Sequence, residues 1–440
     1  MSHYKPYPAY KDSGVEWLGQ VPEHWEVRQL KYLTTHIGSG KTPSGGAEVY
    51  QDSGVLFLRS QNVYEDGLRL DDAVFISEAV DQEMEGSRVC EHDVLLNITG
   101  ASIGRSCLVP AEFQPANVNQ HVCILRTGQA ASAKWLSLCL PSGPVQAQID
   151  FFQNGAGREG LNFEQIGNMY VAIPCSDEVS AIAVAIDRET ARIDALVAKK
   201  TRFIELLREK RQTLISQAVT KGLDPSVRMK DSGVEWLGEV PEHWDVLSFQ
   251  RCVFIAEGQV DPEKSPYREM ILLAPNHIES GSGLLLYTET AEEQGAESGK
   301  YLCEKGDVVY SKIRPALRKV CMAPEVSLCS ADMYPMRGHS GMSNQFLFWF
   351  LLSEPFSAFA VLEADRVAMP KINRESLNSV QLPRPPFSEQ LEIVARLSQA
   401  TARLDNLRAK TERSIDLLKE RRVALITAAV TGQIDLREAG

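Results

Sequence analysis

Two stretches of the chain carry apolar residues at alternating spacings of three and four. From Thr190 to Thr220 the sequence reads TARIDALVAKKTRFIELLREKRQTLISQAVT. Here Ile186, Ile193, Lys200, Leu207 and Leu214 fall at one position of a seven-residue repeat, and Leu196 and Phe203 at the other. From Thr401 to Thr431 the sequence TARLDNLRAKTERSIDLLKERRVALITAAVT sets Leu397, Leu404, Thr411, Leu418 and Leu425 in the same way, with Leu407 between. Such a stripe requires a partner helix. Neither stretch contains Gly or Pro before its end, and Gly222 and Gly432 stand at the stops. Each therefore predicts a helix of roughly 40 residues, about 60 Å long. Antiparallel pairing of the two covers both stripes most simply.

The chain before each helix has a different pattern. Short apolar β-type runs are separated by Gly, Asn and Asp turns: GVLFLRS, DVLLNITG and VCILRTG in one region, MILLAPNHI, DVVYSKIR and KVCMAP in the other. The two regions share a thin skeleton. Asp93-Val94 matches Asp307-Val308, and Cys107 to Pro110 matches Cys321 to Pro324. Each contains one helix-like stretch, Ala133 to Gln148 and Asn344 to Phe359, and each closes on an apolar residue and proline, Ile173-Pro174 and Leu382-Pro383. The pattern predicts two α+β domains of one fold with divergent loops.

A near-exact repeat frames them. Lys11 to Val27 and Lys230 to Val246 differ at only two of seventeen positions, Gln20/Glu239 and Glu26/Asp245. The arms align at an offset of 219 and the helices at 211, so the first insert is longer by eight residues. Units this long are duplicated domains rather than solenoid repeats. The order is arm, insert, helix, arm, insert, helix. Joining the ends would close a cycle, which predicts a pseudo-twofold molecule with its termini near each other.

Composition narrows the class. With 440 residues, the chain has room for two or three domains, and its 44% hydrophobic and 24% charged content is that of globular protein. No apolar run reaches the roughly 18 residues that suggest a membrane span, and MSHYKPYPAY lacks the layout of a secretory signal. Nine cysteines without a CxxC fit reduced thiols and a cytoplasmic location. A net charge of −12 argues against nucleic acid as a partner of the whole surface, since phosphate binding wants Lys and Arg, yet Lys312, Arg314, Arg318 and Lys319 crowd together with no acid between them.

Catalytic motifs fail on their chemistry. The stretch from His36 to Pro43 resembles a nucleotide loop, but Thr35 stands where its first glycine belongs and Pro43 where its helix should begin. Arg384-Pro-Pro-Phe387 resembles an amino-methyltransferase tetrapeptide, but arginine cannot accept the hydrogen bond of a target amine. No Asp/Glu-x-Lys and no HExxH occurs. His24 and His243 recur inside the repeated PEHW, which suggests packing or partner contact. Trp17, Trp25, Trp236 and Trp244 read as anchors in a core or a partner interface.

Several of these segments together resemble a known family. The arm W-L-G-x-V-P-x-H-W, the GKTPS turn at Gly40 to Ser44, FSEQLEIV at Phe387 to Val394 and AVTG at Ala429 to Gly432, in this order around two inserts, are similar to the specificity subunits of type I restriction–modification enzymes. Two departures stand out. The first long helix opens SDEVSAIAVAI without a Glu-Gln pair, and the second insert has EGQVDPEKS at Glu257 to Ser265 in place of GKTPS. The resemblance implies an N-terminal arm at 1–22, a first target recognition domain at 23–175 and a central coiled-coil helix at 176–222. A second arm follows at 223–242, then a second target recognition domain at 243–385, a distal helix at 386–432 and a tail at 433–440. It implies that each domain reads one half of a split, asymmetric site on double-stranded DNA, and that the paired helices set the unread gap.

It also implies partners: two methyltransferase subunits, which carry S-adenosylmethionine, and motor-nuclease subunits, which use ATP and Mg²⁺. The chain itself would bind no cofactor or metal, have no catalytic residue and touch no membrane. Base edges are read by Arg, Lys, Asn and Gln above all. Candidates in polar, turn-rich stretches are Lys41, Thr42, Gln61, Asn62, Asn97, Thr99, Arg105, Asn119, Gln120 and Arg158. In the second domain they are Asn276, His277, Lys312, Arg314, Arg318, Lys319, Arg366 and Lys371. A coiled-coil adapter with two binding modules and no DNA role is the alternative the pattern leaves open.

Overall fold

The computed structural model describes residues 4–153, 160–364 and 370–437. The chain divides into two compact units, residues 1–200 with 413–440 and residues 201–412. The division falls within both long helices, Ser176–Lys221 of 46 residues and Phe387–Val430 of 44. Each unit thus holds one α+β domain and a part of each helix.

In unit 1 the two helix parts run antiparallel: Asp194 meets Arg422 at 3.1 Å, and Glu178 meets Arg437, just past the second helix, at 3.3 Å. In unit 2, Arg211 meets Asp405 at 3.3 Å, and Gly222 lies against Glu389. Both helices stop where the glycines were expected, with Gly222 and Gly432 in the left-handed region at φ +77° and +71°. One half of the predicted seam is correct, since Ile186, Ile193, Leu207, Leu397, Leu404 and Leu425 are buried. The other half needs correction. Leu196, Phe203 and Leu407 are 47%, 43% and 46% exposed. The true second seam lies one residue later, through Thr190, Val197, Ile204, Arg211 and Ala218, repeated as Thr401, Arg408, Ile415, Arg422 and Ala429.

Polar residues can occupy that seam because local bonds satisfy them. Thr190 and Thr401 donate their hydroxyls to the carbonyls of Ile186 and Leu397, each at 2.8 Å.

The two domains share a sheet plan. In unit 1, strands Thr34–Ser39, Val122–Thr127, Val94–Asn97 and Ser106–Leu108 lie side by side, all antiparallel. In unit 2, Val253–Ile255, Met333–Gly338, Val308–Ser311 and Val320–Met322 repeat that order. A second sheet also recurs, built on the parallel pairs Val55–Leu58 with Ala116–Val118 and Leu272–Leu273 with Ser327–Cys329. The edges differ: Val74–Ile76 flanks the first of these sheets, whereas Gln259–Val260 flanks the other on its opposite side.

Each helix-like stretch is two helices rather than one: Ala130–Cys139 and Gly143–Gln153, then Asn344–Leu352 and Glu354–Ala364. Pro144 and Pro355 force the breaks. Proline fits a first helical turn but disfavours helical backbone in the residue before it.

The arms close each unit. Tyr10–Asp12 pairs with Gln20–Pro22, and Met229–Asp231 with Glu239–Pro241. The chain after each arm, Glu26–Gln29 or Asp245–Ser248, pairs with the strand that leads into the long helix, Tyr170–Ile173 or Gln381–Arg384. In unit 1, Lys5 bridges Asp435, and the Tyr10 hydroxyl donates to the Gly432 carbonyl at 3.0 Å, as the closed cycle requires.

Candidate nucleic-acid interface

A hairpin loop in each domain is held by a repeated frame. Arg126 grips the buried carboxylate of Asp93 with two bonds of 2.8 Å, and Arg337 grips Asp307 at 2.8 and 2.9 Å. The same carboxylates accept from backbone amides, Cys90 at 2.6 Å and Glu304 at 2.8 Å. From these aspartates to Cys107 and Cys321 the sequences align without a gap at an offset of 214. The loops share their closing bonds. Asn97 N donates to Arg105 O at 2.8 Å, and Ser311 N to Lys319 O at 2.9 Å; Ile103 N donates to Gly100 O, and Leu317 N to Arg314 O. An outer segment braces each loop: Leu161 N donates to Ile98 O and Ile372 N to Lys312 O, both at 2.9 Å.

The loop demands left-handed backbone at two positions. Gly100 and Gly104 supply it in unit 1 at φ +74° and +86°. In unit 2 the same positions are Arg314 and Arg318, at φ +48° and +47°. For a residue with a Cβ, that conformation costs about 1–2 kcal/mol.

The sequence candidates divide by burial. In unit 1, Asn62, Asn97 and Asn119 are buried. Asn62 accepts from Arg59 N and donates to Arg69 O, Asn97 donates to Ser60 O and Ser102 Oγ, and Asn119 accepts from His121 N. Their amides bond neighbouring loop groups, which gives them a loop-shaping role, while the Asn97 Oδ1 stays enclosed without a partner. His277 is likewise buried, its ring tilted against Tyr287 at 4.6 Å between centroids, with burial pulling its pKa down against the nearby Glu289.

The remaining candidates are open to solvent to differing degrees. Lys41, Thr42 and Gln61 are exposed. Gly40 sits so close to the Val118 carbonyl that no Cβ fits, which pins the GKTPS turn; no phosphate-cradling helix follows it, only a short 3-10 turn at Gly46–Val49. Thr99 and Gln120 both bond the His121 ring, and Arg105 lies over the Tyr64 ring at 4.6 Å. In unit 2, Asn276 is exposed and donates to the Tyr287 hydroxyl at 2.9 Å, Lys312 lies over the Tyr334 ring at 5.3 Å, and Lys319 is tethered to the Pro275 carbonyl at 2.6 Å. Arg314 and Lys371 are exposed, and Arg318 is half-buried with its Nη1 lacking a partner. Arg158 and Arg366 lie outside the described residues.

His121, Arg69 and Arg374 stand among these residues but are not among the sequence candidates. Arg69 covers Tyr64 at 3.7 Å, and Arg374 covers Tyr334 at 5.2 Å. No local pattern marks the arginines, since their aromatic partners come from elsewhere in the chain. For His121, its adjacency to Asn119 and Gln120 is the local signal that points to it.

The tryptophans separate too. Trp25 and Trp244 are 0% exposed, packed against Gly432 and Gly222 respectively, and so cannot present a face to a partner. Trp17 and Trp236 are half-buried against Phe151 and Phe359. The arm histidines clamp the helix starts, His24 on Glu178 at 2.9 Å and His243 on Glu389 at 2.8 Å.

Residues 263–415 match the family of the type I restriction modification DNA specificity domain. The type I restriction enzyme EcoDI specificity subunit of Escherichia coli is 30% identical over 284 residues, which is 61% of this chain and 63% of that protein. The chain thus matches less than two thirds of that relative's length. The type I restriction enzyme MjaVIII specificity subunit of Methanocaldococcus jannaschii is 22% identical, and the match covers 95% of both chains.

Over most of its length the chain is similar to type I restriction enzyme specificity subunits.

Solved structures agree on the fold. A chain from a structure of the type I R-M system aligns with a TM-score of 0.70 at 14% identity, covering 94% of this chain and 99% of that one. The HsdS subunit from Thermoanaerobacter tengcongensis aligns at 0.52 and 14% identity, covering 94% and 98%. In this chain, among the described residues, no group of three or more His, Cys, Asp or Glu side chains could hold a metal ion. No single described helix is long and apolar enough to cross a membrane; the bent pair Asn344–Leu352 and Glu354–Ala364 passes by composition but packs into the core of unit 2.

Proposed function

We propose that this chain reads a split, asymmetric target on double-stranded DNA, one half-site with each unit, and directs partner subunits to it. One observation carries the reading: two domains share one sheet order and one Arg–Asp frame, while the side chains on their equivalent loops differ in kind. A shared scaffold with unlike reading loops suits two unlike half-sites; a true dimer would read a palindrome.

The chain supplies recognition only. Two methyltransferase subunits with S-adenosylmethionine modify adenine, and motor-nuclease subunits with ATP and Mg²⁺ cut unmodified DNA, all in the cytoplasm. The outer faces of the long helices and the arms are the docks for the methyltransferases. The test is to sequence genomic methyladenine in a host with and without this chain. A bipartite motif that is present only with the chain, and whose second half alone changes when residues 243–385 are exchanged for those of a relative, is the expected result. Identical methylation in both hosts defeats the reading.

A further inference from the structure

The two reading loops differ by a rule that neither loop shows alone. Around the loop of unit 1 stand three glycines: Gly100, Gly104 and, on the bracing segment, Gly160. Their counterparts in unit 2 are Arg314, Arg318 and Lys371. The last equivalence is fixed by pairing, because Thr99 bridges Gly160 as Ile313 bridges Lys371. Every one of these glycine positions has become cationic.

Conformation makes this substitution costly rather than neutral. Arg314 and Arg318 keep the left-handed backbone of the glycines they align with. Relaxing either to glycine would remove strain and leave the loop's hydrogen bonds intact, since those bonds are made by the backbone. Strain retained at two places in one loop marks side chains with a use. The side chains have no internal use of matching weight. Among the described residues, no ion pair engages Arg314, Arg318 or Lys371. Arg314 and Lys371 are exposed, and Arg318 is half-buried with its Nη1 enclosed and unpartnered, which leaves its Nε and Nη2 for a ligand. In unit 1 a Cβ at Gly104 would require the Gln146 side-chain amide to shift.

We infer that Arg314, Arg318 and Lys371 grip the phosphate backbone at the half-site read by unit 2, and that the glycine-lined loop of unit 1 makes no such grip. The division of labour is asymmetric: unit 2 supplies salt-sensitive affinity, while unit 1 lets the duplex approach its backbone closely. The inference rests on the DNA reading proposed above.

Fluorescence anisotropy of the full chain on a labelled random-sequence duplex, across a salt series, tests it. The triple variant Arg314→Gly, Arg318→Gly and Lys371→Gly should flatten the slope of log affinity against log salt by about 2 to 3, at about 0.9 for each phosphate no longer neutralised. Its thermal midpoint should not fall, because the two left-handed positions relax. Arg314→Lys with Arg318→Lys should retain the wild-type slope. An unchanged slope in the triple variant, with wild-type binding intact, overturns the phosphate grip alone. A wild-type chain that ignores duplex DNA at all salt concentrations overturns the DNA reading, and this inference with it. A triple variant that loses both binding and folding shows that the residues serve the fold, and also overturns the grip.

Discussion

Arg126 holds the buried carboxylate of Asp93 through its Nε and Nη2, each at 2.8 Å, and so ties an inner strand, Val122–Thr127, to the start of the neighbouring hairpin. The Arg337–Asp307 pair repeats this tie in unit 2. Fork-to-fork pairing of this kind fixes orientation as well as distance. Asp93→Asn should cost about 3 kcal/mol, because it leaves a guanidinium half-paired and the Cys90 amide with a weaker acceptor. Chemical denaturation monitored by a probe in unit 1 measures it, and a loss below about 0.5 kcal/mol would show that the frame is dispensable.

Arg211 and Arg422 occupy equivalent seam positions but should differ in weight. The Arg211 side chain is 10% exposed and donates to the carbonyls of Gly281 and Ser282 as well as meeting Asp405. Burial pulls its pKa below the usual guanidinium range, and Asp405 opposes that. Arg422 is 25% exposed and meets Asp194, itself 55% exposed. Arg211→Ala should cost about 3–5 kcal/mol, the range for breaking a buried pair, and Arg422→Ala about 1 kcal/mol or less. Paired denaturation curves decide it; equal losses would contradict the burial argument.

His277 predicts a pH dependence. Its pKa is lowered in the fold by burial, so the unfolded chain binds more protons as the pH falls. Stability is therefore full above the ordinary histidine value of about 6.5 and declines as the pH drops below it toward the folded-state value. Asn62 fills the same place in unit 1, so His277→Asn should fold and lose that part of the decline. Thermal midpoints between about pH 7 and pH 5 provide the readout, and parallel pH curves for variant and wild type would refute the assignment.

The tryptophans of the arm are poor probes of docking. Trp25→Ala or Trp244→Ala should cost about 3–5 kcal/mol by opening a core cavity, whatever the partner does. The exposed apolar residues of the long helices are better probes. Leu206 and its repeat Leu417 are 46% and 57% exposed. Changing both to Asp should leave the thermal midpoint within a few degrees and sharply reduce co-purification of the proposed methyltransferase partner. Full-yield co-purification would remove these helix faces as its dock.

Much of the architecture was legible in the order of residues alone. The seven-residue spacing with Gly222 and Gly432 at the stops predicts both long helices, because a helix of this length needs a continuous stripe and a left-handed cap, and both are local features. The repeated arm predicts the duplicated domain, and the Asp93 and Asp307 matches pick out the frame that the structure places under both loops. Local pattern failed where a decision depended on distant partners. Leucine content drew the seam to Leu196 and Phe203, but Arg211 could be buried instead because carbonyls of a loop some seventy residues away accept its protons. Asn62, Asn97 and Asn119 look like readers of bases because amides suit that chemistry; only the folded chain shows the residues buried and their amides bonded to loop backbone. That Arg314 and Arg318 hold glycine backbone is likewise invisible in sequence, since φ is set by the hairpin that closes around them. Sequence determined periodicity, repetition and charge, which are properties of neighbours along the chain. Tertiary structure decided which polar groups remain unpaired, because pairing depends on what long-range folding brings within about 3 Å.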